Sequence, residues 1–280
     1  MNLQALRSAA RYAWRAGTIY DVHAPLAFGF LGEVVEDRRH FYVHDEVAAL
    51  RARYAADTTV ISLHDAGAGS RVKQADRRRV CDVAATSGSP ERFGRYLTSL
   101  VDWRGARNVL ELGSNLGIGS CCLAAGMRPD GRLVTIDADP QMAAFAKTAL
   151  SQTVPYARAE VVTGTFVETL PSVLEELKTV DVAFVDGHHA EGPTKSYFEQ
   201  VRQHCHAGSV VVFDDIHWSP GMESAWAWIR ARPEVRLSFD LYRWGVVFFD
   251  PAVGEKRHYE VLPWRWKPWH MGFFRVRGGR

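Results

Sequence analysis

Acids stand where several apolar runs of this chain give out. Asp137 ends Leu133-Val134-Thr135-Ile136, Asp186 follows Val180–Val185, and Asp214-Asp215 follow Ser209–Phe213. Carboxylates at the ends of buried strands face the crevice in which open α/β sheets bind their ligands. Gathering Asp186, Asp214 and Asp215 there costs mutual repulsion unless something positive lies between them. A hard divalent cation, Mg²⁺ or Ca²⁺, takes oxygen ligands and is the natural occupant. The alternative is that Asp214 or Asp215 caps the following segment or orients cofactor and substrate. His188 and His189 come just after Asp186, and His217 just after Asp215. A histidine titrates near neutral pH and can take a proton from a hydroxyl, the more easily if a metal has lowered that hydroxyl's pKa. Trp218 and Met222 are either walls of an acceptor pocket or ordinary core.

A second group of residues points to a nucleotide. Asn108–Ala125 reads NVLELGSNLGIGSCCLAA: an apolar run, a glycine-rich turn, then small apolar residues. That is strand, turn and helix, with a helix N-terminus aimed at a phosphate or nucleoside. A dinucleotide fingerprint wants G-x-G-x-x-G. The order here is E-x-G-x-x-x-G-x-G, from Glu111 through Gly113 and Gly117 to Gly119, which disfavours a nicotinamide-dependent oxidoreductase. An acid that holds a ribose is expected about 20 residues after such a turn. Asp137 is placed to be that acid.

Through VLELGSNLGIGS and LVTIDADP the chain resembles the class I S-adenosylmethionine-dependent methyltransferases. FVDGHH and VVFDDIHWS narrow the resemblance to the metal-dependent O-methyltransferases related to the catechol and caffeoyl-CoA enzymes. The resemblance covers roughly residues 90–250. It implies cofactor contacts at Glu111, Gly113, Ser114, Gly117, Asp137, Ala138, Gly164, Thr165, Phe166 and Asp186. It implies a metal on Asp186, Asp214 and Asp215. The family's general base, often Lys, lies three residues after the first metal-binding acid; His189 holds that position, with His217 as rival base or fourth ligand. Three departures are visible. Asn115 stands where many members have glycine, Thr165 where many have an acid, and Asp215 where the best-known members have Asn.

The elements that must position these residues alternate as strand and helix. Strands are expected at Asn108–Leu112, Leu133–Asp137, Glu160–Thr163, Val180–Val185 and Ser209–Phe213. Leu237–Leu241 and Val246–Phe249 follow as an antiparallel pair around Arg243-Trp244-Gly245. Helices are expected at Leu3–Ala16, Val47–Tyr54, Pro90–Leu100, Pro140–Thr153, Val173–Leu177, Tyr197–Cys205 and Met222–Arg232, with Pro171 near a first turn. The fold class is α/β: a doubly wound, Rossmann-like sheet, mostly parallel, with an antiparallel C-terminal strand. Residues 1–85 read as a helical extension for substrate or subunit contact, 86–250 as the methyltransferase domain and 251–280 as a tail. Asp65–Ser70 mimics a glycine loop but is followed by Arg71, Lys73 and Arg77-Arg78-Arg79 rather than a buried helix. It is read as a turn or a loop beside the site, and the arginine run as a solvated helix face or an anion patch.

Composition sets the bounds. The chain has 280 residues, 47% hydrophobic, with net charge +2, so no global attraction to nucleic acid or membrane is implied. Its four cysteines form no C-x-x-C pair, which fits a reducing cytoplasm. No stretch is long and apolar enough to span a bilayer. The tail interleaves Trp264, Trp266, Trp269, Phe273 and Phe274 with arginines and a lysine. Its aromatics are expected to pack on the domain or on a second subunit in a homodimer, with Trp264, Trp266 and Phe273 buried. The functional expectation is metal-assisted O-methylation of a small-molecule acceptor from S-adenosylmethionine. The rivals are an RNA methyltransferase using the tail and Arg77–Arg79, and a non-catalytic cofactor-binding or assembly module.

Overall fold

Alternation of apolar residues along each central strand lets one sheet bury two faces. Val109, Leu133, Val182, Val210 and Val212 join one apolar cluster, while their neighbours Leu110, Val134, Ala183 and Val211 join another. The computed structural model describes residues 3–63, 77–87 and 90–270. The Asp65–Ser70 turn and Phe273–Arg280 lie outside the described residues.

Among the described residues, the strands of the main sheet are β3 (Asn108–Leu112), β4 (Arg132–Asp137), β5 (Arg158–Thr163), β6 (Val180–Val185), β7 (Cys205–Phe213), β8 (Leu237–Asp240), β9 (Gly245–Phe248) and β10 (Arg257–Glu260). Their order is β10-β8-β9-β7-β6-β3-β4-β5. The run from β5 to β7 is parallel, and β9 runs antiparallel between β7 and β8. From β3 the chain winds outward through β4 to β5, then returns to β6 on the other side of β3. The ligand crevice of a doubly wound sheet lies at that reversal, beyond the carboxyl ends of the strands.

The first face is covered by α5 (Glu91–Arg104), α6 (Ile118–Gly126) and α7 (Pro140–Thr153), and by the N-terminal helices α2 (Pro25–Phe30), α3 (Tyr42–Ala56) and α4 (Val80–Ser87). The second face is covered by α8 (Phe166–Leu177), α9 (Glu191–Arg202) and α10 (Pro220–Ala231). Phe30, Leu31, Val47, Leu50 and Tyr54 are buried in the same cluster as the sheet's own Val109 and Val182. The N-terminal stretch is therefore packed into the domain core, and α1 (Leu3–Arg15) precedes it.

Several elements differ from the sequence reading. Arg77–Arg79 is not a helix face: it is strand β2, antiparallel to β1 (Val60–Ser62), with Val60 opposite Arg79. Arg79 is paired with Asp82 at 2.8 Å, so the run is partly neutralised locally. Pro171 sits inside α8 rather than near a first turn, on an exposed side where the carbonyl it leaves unpaired can be solvated. Cys205 opens β7, so α9 begins and ends earlier than the apolar spacing suggested. The tail contributes β10, parallel to β8, a strand that a charged Arg257-His258-Tyr259-Glu260 sequence conceals. It is strapped to the N-terminal segment, with Gly17 N–H donating to Glu260 O at 2.8 Å and Leu262 N–H to Gly17 O at 2.9 Å. Trp264 is half-buried, its backbone N–H donating to Glu36 Oε1 at 2.6 Å. Trp266, expected inside, is 46% exposed, its ring stacked under Arg92 at 4.7 Å. Lys267, by contrast, is buried, and its ammonium donates to Trp14 O at 3.1 Å and to Ala16 O. No helix among the described residues is long and apolar enough to cross a membrane. The four cysteines are free.

Candidate active site

The turn after β3 closes tightly because glycine allows it. Gly113 has φ +100°, and any Cβ there would collide with the Asp186 carbonyl at the end of β6. Gly117, at φ +79°, starts α6 with a Cβ position only 2.7 Å from Ala146 Cα of α7. Asn115 holds φ +48°, a left-handed conformation that Asn tolerates better than most residues. The departure from glycine at this position therefore keeps the turn.

Asp137, at the end of β4, faces the same turn. Its carboxylate accepts from Asn115 N at 2.8 Å, Asp139 N at 3.0 Å and Ser114 Oγ at 3.2 Å. Burial raises its pKa above the ordinary carboxylate value, against the pull of those donors. Ala138 is half-buried beside it. Gly164 N–H donates to Asp137 O at 2.9 Å, which seats the β5 turn against β4. Thr165 starts α8 and gives its hydroxyl to Glu168 at 2.6 Å. Phe166 is buried edge-on against His188 and Tyr197. The residues expected to hold a cofactor thus line the carboxyl ends of β3, β4, β5 and β6.

Glu111 is 1% exposed, hydrogen-bonded by the Ser120 hydroxyl of α6, and its pKa is pushed up to about 7 chiefly by burial. A cavity at this point is lined by Glu111, Gly113, Ser114, Asp186 and Arg51 of α3. The sequence reading passed over Arg51. Its Nε and Nη2 are buried without a hydrogen-bond partner among the described residues. A buried guanidinium lacking acceptors carries a desolvation cost that an anionic ligand group would relieve. The signal was available: Val47, Leu50, Arg51 and Tyr54 fall at i, i+3, i+4 and i+7, so Arg51 stands on the inner stripe of its helix.

The three acids at the ends of β6 and β7 do come together, but around an arginine. Asp214 is 1% exposed and takes a two-pronged ion pair from Arg243, Nε to Oδ1 and Nη2 to Oδ2, both 2.7 Å. Arg243 Nε is also 3.6 Å from Asp215 Oδ1. Asp186 lies within hydrogen-bonding reach of Asp214, and burial together with the Asp214 charge holds its pKa well above the usual range. Burial alone would lower the Arg243 pKa, but Asp214, Asp215 and Asp186 outweigh it and raise it. Topology explains the meeting. β9 is antiparallel to β7 with Gly245 opposite Phe213, so the β8–β9 turn carrying Arg243 returns to the edge where β7 ends. A divalent ion here would have to compete with this pair, because both oxygens of Asp214 already accept from a guanidinium. Among the described residues, no three His, Cys, Asp or Glu side chains are grouped so as to hold a metal.

The histidines separate clearly. His217 has both ring nitrogens on carboxylates, Nε2 to Asp240 at 2.8 Å and Nδ1 to Glu223 at 3.2 Å. Burial opposes its charge, but the two acids prevail and raise its pKa. His217 is thus engaged by carboxylates at both ring nitrogens, whereas His188 and His189 are not. His188 Nδ1 is 2.7 Å from the Tyr197 hydroxyl. His189 Nε2 lies 3.6 Å from Asp186 Oδ1, with its ring 6.3 Å from Trp218. Trp218 thus stands beside the crevice, whereas Met222 is buried against Thr194.

Comparison with known proteins agrees with this fold. Residues 110–216 match the family described as a methyltransferase domain. A relative from Mycolicibacterium vanbaalenii is 36% identical over 120 residues, 42% of this chain and 52% of that protein. A catechol O-methyltransferase from Niastella koreensis is 29% identical over 135 residues, 48% of this chain and 60% of that protein. The chain therefore spans only about half to three-fifths of the curated relatives it matches. Among solved structures, an O-methyltransferase from Bacillus cereus in complex with S-adenosylhomocysteine has a TM-score of 0.52 at 22% identity, covering 78% of this chain and 99% of that one. An O-methyltransferase from Streptomyces achromogenes in complex with S-adenosylmethionine has a TM-score of 0.55 at 19% identity, covering 76% and 91%. At such identities these two structures establish the fold.

Proposed function

We propose that this chain, whose residues 110–216 match a methyltransferase domain, is a class I S-adenosylmethionine-dependent methyltransferase that transfers a methyl group from S-adenosylmethionine to an oxygen of a small-molecule acceptor. The observation that carries this reading is the crevice in which Asp137, Glu111 and Arg51, whose Nε and Nη2 have no hydrogen-bond partner among the described residues, surround one glycine turn. Asp137 accepts the ribose hydroxyls. Arg51 takes the methionyl carboxylate. Gly113 and Ser114 line the methionyl end, while Gly117 lets the turn run into α6. Ala138, Gly164, Thr165 and Phe166 border the nucleoside.

The acceptor enters beside Asp186, His189 and Trp218. Its hydroxyl oxygen attacks the methyl carbon in line with the sulfur, so that an O–C bond forms as the C–S bond breaks and the bonding pair stays on sulfur. The hydroxyl proton passes to His189, which Asp186 orients. Most of the acceleration comes from alignment of oxygen, carbon and sulfur. The divalent cation that the resemblance implies has no step here, since Arg243 engages both oxygens of Asp214. A cytoplasmic setting belongs to the proposal and is supported by the four free cysteines. A homodimer would be built on the exposed tail aromatics, Trp266 and Trp269.

Calorimetry with S-adenosylhomocysteine, followed by a screen of small-molecule extracts for label transferred from methyl-labelled S-adenosylmethionine, tests the reading. Absence of cofactor binding by the folded protein would sink it.

A further inference from the structure

A cluster of three carboxylates needs a counter-charge, and this chain supplies one covalently. The Arg243 fork matches Asp214 oxygen for nitrogen, the geometry in which a guanidinium binds a carboxylate most strongly. The turn that bears it is fixed by pairing on both sides, β9 to β7 and β9 to β8. Its backbone is further tied by Ile216 N–H donating to Arg243 O at 3.1 Å and Arg243 N–H donating to Leu241 O at 2.9 Å. The same guanidinium reaches toward Asp215, and Asp186 leans on Asp214 from the β6 side. A guanidinium stays charged at any pH at which the protein is folded. Asp214 is fully buried, so a cation entering here would have to break a two-pronged pair and leave Arg243 facing a second positive charge.

We propose that Arg243 is the resident cation of this site: it does for Asp186, Asp214 and Asp215 what a bound divalent ion would otherwise do, so the protein operates without one. The inference rests on the reading of this crevice as the methyl-transfer site. Its consequence there is that an acceptor oxygen meets the N–H donors of a guanidinium whose side chain is 27% exposed, in place of a Lewis-acidic ion. The fork already committed to Asp214 leaves further N–H groups on the same planar head for that contact.

The test reads metal binding directly and does not depend on finding an acceptor. Free Mn²⁺ is followed by its paramagnetic resonance signal as the full chain is titrated in the presence of S-adenosylhomocysteine. The wild type is expected to leave Mn²⁺ free. Arg243→Ala, which uncovers the carboxylates, is expected to bind Mn²⁺ at least about tenfold more tightly than the wild type. Its melting temperature should then rise with added Mn²⁺, and adding Asp214→Asn to that variant should abolish both effects. Wild-type Mn²⁺ binding that disappears in Asp214→Asn would overturn the proposal, and that comparison stands even if Arg243→Ala does not fold. An Arg243→Ala protein with a native circular dichroism spectrum that binds no more Mn²⁺ than the wild type would overturn it as well. If the wild type binds no S-adenosylhomocysteine at all, the cofactor reading fails, and the Mn²⁺ comparison still decides the role of Arg243.

Discussion

Glu111 is the acid on which the electrostatics of the cofactor cavity can be measured. Its pKa moves from 4.5 to about 7 on folding because the carboxyl is buried, with Ser120 offsetting only part of the cost. Below about pH 4.5 the group is protonated in both the folded and the unfolded chain and has no effect on the balance. Between that pH and about 7 the unfolded chain releases the proton while the folded chain keeps it, so stability falls as pH rises. Above about pH 7 the loss is complete, and at 1.36 kcal/mol per pKa unit it amounts to about 3 kcal/mol. Glu111→Gln removes the titration while keeping the shape. The stability of the variant minus that of the wild type should therefore climb by about 3 kcal/mol between pH 4 and pH 8. A constant offset from the altered Ser120 contact cancels out of that difference.

Urea denaturation at closely spaced pH values provides the measurement, with unchanged slope as the sign that both proteins unfold alike. A difference that stays flat would mean that Glu111 binds its proton no more tightly in the folded chain than in the unfolded one, and burial would not be what governs this acid. The ligand supplies a second check. S-adenosylmethionine carries a sulfonium charge that S-adenosylhomocysteine lacks, so it should favour the ionised carboxylate. Wild-type affinity for S-adenosylmethionine relative to S-adenosylhomocysteine should increase as pH passes through 7, whereas Glu111→Gln should show no such trend.

The remaining predictions concern single side chains. Asp137→Ala should weaken S-adenosylhomocysteine binding by about 2–3 kcal/mol by calorimetry, because two charge-assisted ribose hydrogen bonds are lost. Arg51→Met should weaken S-adenosylhomocysteine by about 1.5–3 kcal/mol while leaving adenosine, which has no carboxylate, unaffected; equal losses for both ligands would remove Arg51 from the carboxylate. His189→Ala should lower turnover of an identified acceptor by about 10²–10⁴-fold, with part of the loss recovered at high pH as the hydroxyl ionises unaided. A pH profile with no such recovery would show that His189 does not take the proton.

The sheet was readable because its strands announce themselves. β3, β4 and β6 are mostly apolar and mostly buried, and each stops at a glycine or an acid. The same logic failed where burial is one-sided or supplied by other segments. Arg77–Arg79 makes a strand only because β1 pairs with it, and no periodicity in three arginines reveals a partner fifteen or more positions away. β10 is an outer strand of polar and charged residues, carried by backbone pairing to β8 rather than by an apolar face. Trp266 misled because an indole can also be satisfied at the surface, here beneath the Arg92 guanidinium.

At the site, carboxylates that end parallel strands could be placed from sequence, since strand order alone brings Asp137, Asp186 and Asp214 to one edge. What compensates them could not. Arg243 lies about thirty residues beyond Asp214 and looks like a hairpin turn residue. Only the antiparallel register, with Gly245 opposite Phe213, turns that hairpin back onto the acids. The two placements have different physical status. A strand-end acid is local: it follows from where a hydrophobic run stops. A counter-charge is tertiary: it depends on the direction in which a later strand pairs. Had β9 joined β7 in parallel, Arg243 would lie at the opposite edge of the sheet and the three carboxylates would need a bound cation. The direction of one strand thus separates a site that needs a metal from one that carries its own positive charge.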